Sequence, residues 1–221
     1  MTAVVIGASG GIGDALIEAL KEEGTPVRAF SRPELDLTDE ASIAAAATSL
    51  TVTPELVILA TGLLHEDGQG PEKSMRELDP AWLARSFAIN AIGPALVAKH
   101  FLPRMPKTGR CVFAVLSARV GSIGDNRLGG WYSYRAAKAA LNQLVRTLAI
   151  EEKRRNDRSI VVALHPGTVD TRLSKPFQAN VRPDQLFDPG RAAVQLLDVI
   201  DGLKAPDSGR LFDWEGTEIT P

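Results

Sequence analysis

Short, continuous apolar runs alternate with longer amphipathic ones along this 221-residue chain. The stretch TAVVIG (2–7) is β-branched and ends in glycine, which predicts a buried strand. In 11–24, Ile12, Leu16, Ile17 and Leu20 recur at helical spacing, and Gly24 supplies a C-terminal stop. A second strand is predicted at PVRAFS (26–31). A short third follows at LDL (35–37), with Thr38 capping the alanine-rich helix after it. Only RPE joins these two strands, so one covering helix is missing between them. ELVILA (55–60), RCVFAVLS (110–117) and SIVVALH (159–165) read as further buried strands, and GRLFD (209–213) as a last one. Helices are predicted over 80–102, 131–155 and 189–201. Strands that are apolar throughout, separated by helices, indicate a parallel sheet covered on both faces: an α/β, doubly wound fold. Such sheets take ligands at the carboxyl ends of their strands.

Composition adds boundaries to this picture. A length of 221 lies between one and two average domains, and with no linker or repeat the chain reads as one domain over 1–221. It is 44% hydrophobic and 24% charged, with a net charge of −2, so nothing favours a nucleic-acid or membrane surface. The basic cluster KRRNDR (153–158) reads as a solvated helix end, where cations suit the helix dipole. Cys111 is the one cysteine, in an apolar run, which excludes an intrachain disulfide scaffold and reads as a buried strand residue. The N-terminal run is too short for a signal peptide or a membrane span, and no later stretch is read as long enough, so the expected location is cytoplasmic.

Candidate chemistry begins after the first strand. GASGGIG places glycines at 7, 11 and 13, between a strand and a helix. Gly7 allows the tight turn, Gly11 lets backbone approach a pyrophosphate, and Gly13 lets the helix pack closely on the sheet. The helix N-terminus then offers free N–H groups to phosphate. In that context the loop residues Gly7, Ser9, Gly11, Ile12 and Gly13 predict a dinucleotide site on a Rossmann-type sheet. The end of the second strand bears on which dinucleotide. An acidic residue there would hold the ribose hydroxyls of NAD; this chain has Ser31 and Arg32. A hydroxyl and a guanidinium suit the 2′-phosphate of NADP(H). Arg32 also reads as a solvated turn residue before Pro33, and Glu34 keeps NAD(H) open. Asp36 and Leu37 would sit near the adenine; Asp36 also reads as a turn residue.

With the glycine loop, three further segments give the chain a resemblance to the short-chain dehydrogenase/reductase family over nearly its whole length. YRAAK (134–138) resembles that family's Y-x-x-x-K, NAIG (90–93) its N-x-x-G segment, and HPGTVDT (165–171) its P-G-x-V-x-T loop. The run GSIGDNRLGGWYSYRAAKAALN is most similar to the small C-factor-like branch. Positions i and i+4 share a helix face, so Tyr134 and Lys138 point the same way while Tyr132 faces elsewhere. A phenol titrates near 10, and a neighbouring ammonium lowers that value. Tyr134 is therefore the candidate acid/base, or else a packed tyrosine beside a surface lysine. The resemblance further implies that Lys138 binds the nicotinamide ribose and that Asn90 orders a water for a proton relay. Asn90 also reads as a polar helix residue near Gly93 and Pro94. Pro166, Gly167, Val169 and Thr171 would close over the nicotinamide. His165, His65 and His100 read as structural.

The pattern departs from the family in two places. The family's carbonyl-orienting serine is matched most directly by Ser117. Counting three back from Gly121, however, lands on Ala118, and a one-residue shift on a regular strand would turn the side chain to the other face. A bulge could restore Ser117; Ser122, or no serine at all, are the alternatives. The family's N-A-G after the fourth strand is here Ala60, Thr61 and Gly62, of which Gly62 still permits backbone beside adenosine. The resulting expectation is an NADP(H)-preferring oxidoreductase acting on a small carbonyl or alcohol substrate. Its catalytic set is Tyr134, Lys138, Ser117 and Asn90, and it needs no metal. The rival is a nucleotide-binding regulatory or signalling protein with little turnover. Segments 122–131 and 172–187 would line the substrate pocket, where Trp131, Leu173 and Phe177 suggest an apolar component or simply loop packing. The resemblance also implies a homodimer or homotetramer built through the helices at 80–102 and 131–155.

Overall fold

The computed structural model describes residues 1–220, the side chain of Asn180 excepted. Six parallel strands form one sheet in the order β2-β1-β3-β4-β5-β8. They are β1 (Ala3–Ile6), β2 (Val27–Phe30), β3 (Leu56–Leu59), β4 (Cys111–Leu116), β5 (Ser159–His165) and β8 (Leu211–Asp213). Between β5 and β8, β6 (Thr168–Val169) and β7 (Leu186–Phe187) pair as a separate parallel ribbon.

The apolar strands are continuous because both faces are covered. Ala3, Val5, Leu56, Ile58, Val112 and Ala114 pack under α1 (Gly11–Glu22) and α6 (Pro189–Gly202). Val4, Ile6, Val57, Leu59, Phe113 and Val115 pack under α2 (Glu40–Thr48), α4 (Gly93–Phe101) and α5 (Tyr132–Arg155). Gly24 ends α1 as expected, with φ +74° and its N–H on the carbonyl of Lys21.

Three expectations are corrected. LDL forms no strand. Its Asp36 carboxylate accepts from Thr38 N at 2.8 Å and Thr38 Oγ1 at 2.7 Å, and this side-chain turn bends the chain away from the sheet. Leu35 and Leu37 are buried all the same, so the run is apolar because it faces the core. Thr38 does not cap α2. Its hydroxyl is held in that turn, and the Asp39 carboxylate accepts from Ala41 N at 3.0 Å instead. Finally, one stretch is long and apolar enough to cross a membrane: Pro80–Arg104, 25 residues with a mean hydropathy of 1.3 in its best window. Its apolar side chains Trp82, Val97, Phe101 and Leu102 are buried against the protein. That run is not one regular helix either. α3 (Pro80–Phe87) passes through a π-helical turn at Ala88–Ile92 before α4 begins, and Asn90 sits in the middle of that turn.

Candidate active site

Loops at the carboxyl ends of β1 to β5 meet along one edge of the sheet, and the residues singled out by the sequence lie there. Gly7 N and Ala8 N both donate to the carbonyl of Phe30, at 2.9 and 3.1 Å, which sets Ser31 and Arg32 beside the glycine loop. Gly7 has φ +96°, and a Cβ there would come within 2.5 Å of the Ala60 carbonyl oxygen. A Cβ on Gly13 would overlap Gly7 O, and one on Gly11 would lie 2.9 Å from the Thr171 methyl. No side chain caps the N-terminus of α1, so its first N–H groups stay free for an anion. Ser9 is exposed at the loop tip, and Ile12 packs into the core beneath it.

Arg32 is exposed and makes no ion pair among the described residues. Glu34, the acidic alternative, is paired with Arg28. The Asp36 carboxyl is held below its usual value, first by the Thr38 hydrogen bonds and then by the fields of Arg32 and Arg85. Leu37 lies beneath α4, where a Cβ on Gly93 would meet it at 2.7 Å. The Asp36 and Leu37 side chains are therefore engaged in the fold.

Asn90, Gly62 and Lys138 converge. A Cβ on Gly62 would lie 3.7 Å from Asn90 Oδ1 and 4.0 Å from Lys138 Nζ. Asn90 Oδ1 accepts from Leu63 N at 2.9 Å and its Nδ2 donates to Leu63 O at 2.8 Å, tying the π-turn to the loop after β3. Lys138 Nζ donates to Leu116 O at 2.8 Å and lies 5.7 Å from the Tyr134 ring centre. Both partners are buried, and burial pushes each toward its neutral form. The Lys138 ammonium is driven down to about 7, and the Tyr134 phenol is driven up from its ordinary value. The expected lowering of the phenol by the lysine is thus overridden in this structure by loss of water.

Ser117 and Ala118 have different partners in the structure. Ser117 Oγ donates to Asn142 Oδ1 at 2.7 Å, two helical turns beyond Tyr134 on α5. The neighbour of Tyr134 is Ala118, buried with it and Leu64. Ser122 Oγ donates to the carbonyl of Thr220 and faces the C-terminal segment. Val120, Trp131, Leu173 and Phe177 complete the surround of Tyr134, with Trp131 stacked edge-on to Tyr134 at 6.3 Å and to Phe177 at 5.2 Å. From the 172–187 segment, Leu173 and Phe177 thus pack against the Tyr134 cluster. Thr61 and Thr171 both bring methyls against the glycine loop, and Val169 is fixed through the β6–β7 ribbon. Pro166 is half-buried, and Gly167 (φ +76°) sits where a side chain would strike Phe187 and Trp214.

One residue escaped the sequence reading. Glu72 is buried beneath the start of α5, where its carboxylate accepts from Ser133 N at 3.1 Å and from the Ser133 hydroxyl, while Trp131 N donates to its carbonyl. It caps the helix that carries Tyr134, because Trp131, at the N-cap with φ +53°, has no side-chain acceptor. In sequence, Glu72 stands in GPEKS (70–74), where no motif or periodicity singles it out.

A glycine cradle, free helix N–H groups, an unpaired arginine and a buried tyrosine–lysine pair at the carboxyl edge of a parallel sheet define a class: dinucleotide-dependent oxidoreductases of the Rossmann type. The residues present fit such a cofactor, since added side chains at Gly7 and Gly13 would fill its turn. A family model described as enoyl-(acyl carrier protein) reductase matches residues 5–189. The chain is 30% identical, over 98% of its length and 97% of that protein, to 1-hydroxy-2-glutathionyl-2-methyl-3-butene dehydrogenase of Rhodococcus sp. (strain AD45). It is 38% identical to C-signal of Myxococcus xanthus over 146 residues, 66% of this chain and 82% of that protein. The NADPH-bound carbonyl reductase from chicken fatty liver superposes with a TM-score of 0.85 at 25% identity, covering 100% of this chain and 98% of that one. The chain belongs to the short-chain dehydrogenase/reductase family.

Proposed function

We propose that the chain is an NADP(H)-preferring oxidoreductase that interconverts a small carbonyl compound and its alcohol. The observation that carries this reading is the buried Tyr134–Lys138 pair, with Gly62 and Asn90 beside it, on the same sheet edge as the glycine cradle. Bound NADPH would supply a hydride to the carbonyl carbon and leave as NADP⁺. Tyr134 supplies the proton to the carbonyl oxygen. Lys138 holds a second proton at Nζ, ready to restore the phenol, and binds ribose hydroxyls from the same atom. Asn90 holds the Leu63 backbone, and with it the loop that carries Gly62, in place. Gly7, Ser9, Gly11, Ile12 and Gly13 receive the pyrophosphate, and Ser31 with Arg32 receives the 2′-phosphate. Ala60, Thr61 and Gly62 flank the adenosine, and Pro166, Gly167, Val169 and Thr171 the nicotinamide. The NADPH-bound chicken carbonyl reductase and the Rhodococcus dehydrogenase support this assignment.

A regulatory dinucleotide-binding protein is the second reading. Ala118 beside Tyr134 favours it, as does the similarity to C-signal. The test is NADPH oxidation across a carbonyl panel with wild type and Tyr134→Phe: turnover that depends on Tyr134 supports the enzyme, and tight NADPH binding with no turnover supports the rival. We place the protein in the cytoplasm, and as a homodimer or homotetramer; half-exposed Ile92 and Ile150, on the two helices named for that contact, support the oligomer.

A further inference from the structure

The serine hydroxyls near Tyr134 can be traced to their partners, and those partners bear on the substrate. Along β4, Phe113 and Val115 face α5, and Ser117 keeps that parity. Its N–H still bonds Leu164 O in the sheet, so no bulge intervenes before it, and its hydroxyl goes to Asn142. Ala118 leaves the sheet in extended conformation and supplies the methyl packed with Tyr134 and Leu64. The hydroxyls of Ser122 and Ser133 are bonded to Thr220 O and Glu72. His65 stacks on Phe177 at 5.9 Å with its Nε2 at the carbonyl of Arg172. The apolar surround is Leu64, Val120, Trp131, Leu173 and Phe177.

We infer that Ala118 sets the substrate class. The pocket takes an apolar aromatic carbonyl compound whose oxygen receives one side-chain hydroxyl hydrogen bond, from Tyr134. The polarisation that a strand-end hydroxyl would add comes from an electron-withdrawing group on the substrate, as in an aryl 1,2-diketone. This rests on the reductase reading but concerns the pocket alone. A single preorganised donor at a developing oxyanion changes rate by roughly 10²–10³-fold, so its absence separates activated from plain aryl ketones.

The experiment is difference infrared spectroscopy of a carbonyl-¹³C aryl 1,2-diketone bound to the NADP⁺ complex, where no turnover occurs. One red-shifted carbonyl band is expected in wild type. Tyr134→Phe abolishes the shift, Ser117→Ala retains it, and Ala118→Ser moves it further red. Ala118→Cys, of similar size but a weak donor, leaves it in place and controls for packing. In parallel, Ala118→Ser raises kcat for plain aryl ketones by roughly 10²-fold and for the diketone by less than tenfold. A shift that persists in Tyr134→Phe, one that vanishes in Ser117→Ala, or the lack of any bound band overturns the inference. Should wild type reduce no carbonyl while the bands behave as stated, the reductase reading falls and the hydroxyl assignment stands.

Discussion

Replacing Arg32 with alanine tests which dinucleotide the site was built for. Arg32 is exposed, has no carboxylate partner among the described residues, and follows directly after the strand end that is hydrogen-bonded to the glycine loop. The carboxyls of Asp36 and Glu66 are lowered first by hydrogen bonds from Thr38 and Arg85, and the Arg32 charge adds to both, so it offsets two anions that would otherwise repel a phosphate. A charge-assisted hydrogen bond contributes about 1.5–3 kcal/mol, and solvent exposure favours the lower end. At about 1.4 kcal/mol per decade, Arg32→Ala should weaken NADPH binding by roughly 10- to 50-fold. The loss of an opposing charge to Asp36 and Glu66 acts in the same direction. NADH lacks the 2′-phosphate and should change by less than about twofold, within the spread usual for an exposed substitution. Isothermal titration calorimetry of both cofactors on both proteins gives the four constants needed. The NADPH difference should also shrink between low and high salt, because an exposed ion pair is screened. Equal losses for the two cofactors would refute the 2′-phosphate assignment and place Arg32 on a part that both share. No loss for either would move the choice to NAD(H) and to the carboxylates of Glu34 or Asp36.

Three other outcomes follow from buried groups. Burial holds His165 down at about 4, so the unfolded chain binds a proton that the folded one refuses between there and 6.5; stability should fall as pH drops through that window, by up to about 3 kcal/mol. Urea unfolding of wild type against His165→Gln checks this, and identical acid slopes would refute it. Lys138, held down at about 7, works with the opposite pH range: the unfolded chain binds the extra proton between 7 and 10.5, so stability should rise across the lower part of that interval. Lys138→Met should flatten that rise in denaturant titrations at pH 7 and 9 while removing turnover; a slope unchanged by the substitution would contradict the burial argument. Glu72→Ala strips the cap from α5 and orphans the buried Ser133, a loss of about 2–4 kcal/mol or several degrees in Tm, with Glu72→Gln falling in between. A Tm within one degree of wild type would show that α5 holds without it.

The fold was legible in the sequence because its signals are local. TAVVIG, ELVILA and RCVFAVLS are apolar throughout, and that pattern has few uses other than a strand covered on both faces. LDL looked the same over three residues yet became a turn, since Asp36 closes on Thr38 before any edge pairing can form. The Tyr134–Lys138 face follows from four-residue spacing alone. Three parts of the site depended on contacts distant in sequence. Glu72 reaches α5 across 61 residues, and no local pattern announces it. The sign of the Tyr134 shift depends on how deeply the pair is buried, and spacing does not report that. Ser117 and Ala118 differ by one residue of register: counting from Gly121 raises the question, and in the structure Ser117 bonds Asn142 while Ala118 packs with Tyr134.

The most direct test of the central claim follows a labelled hydride in wild type and Tyr134→Phe. NADPH dideuterated at C4 is mixed with an aryl 1,2-diketone under single-turnover conditions, at enzyme concentrations where calorimetry shows both proteins saturated with cofactor. Mass spectrometry then reads deuterium at the new carbinol carbon. The account predicts deuterium in the wild-type product and a rate lower by at least roughly 10²-fold in the variant, the size of a lost acid–base residue. Transfer at the wild-type rate by Tyr134→Phe would contradict it, because the proton would then come from another group.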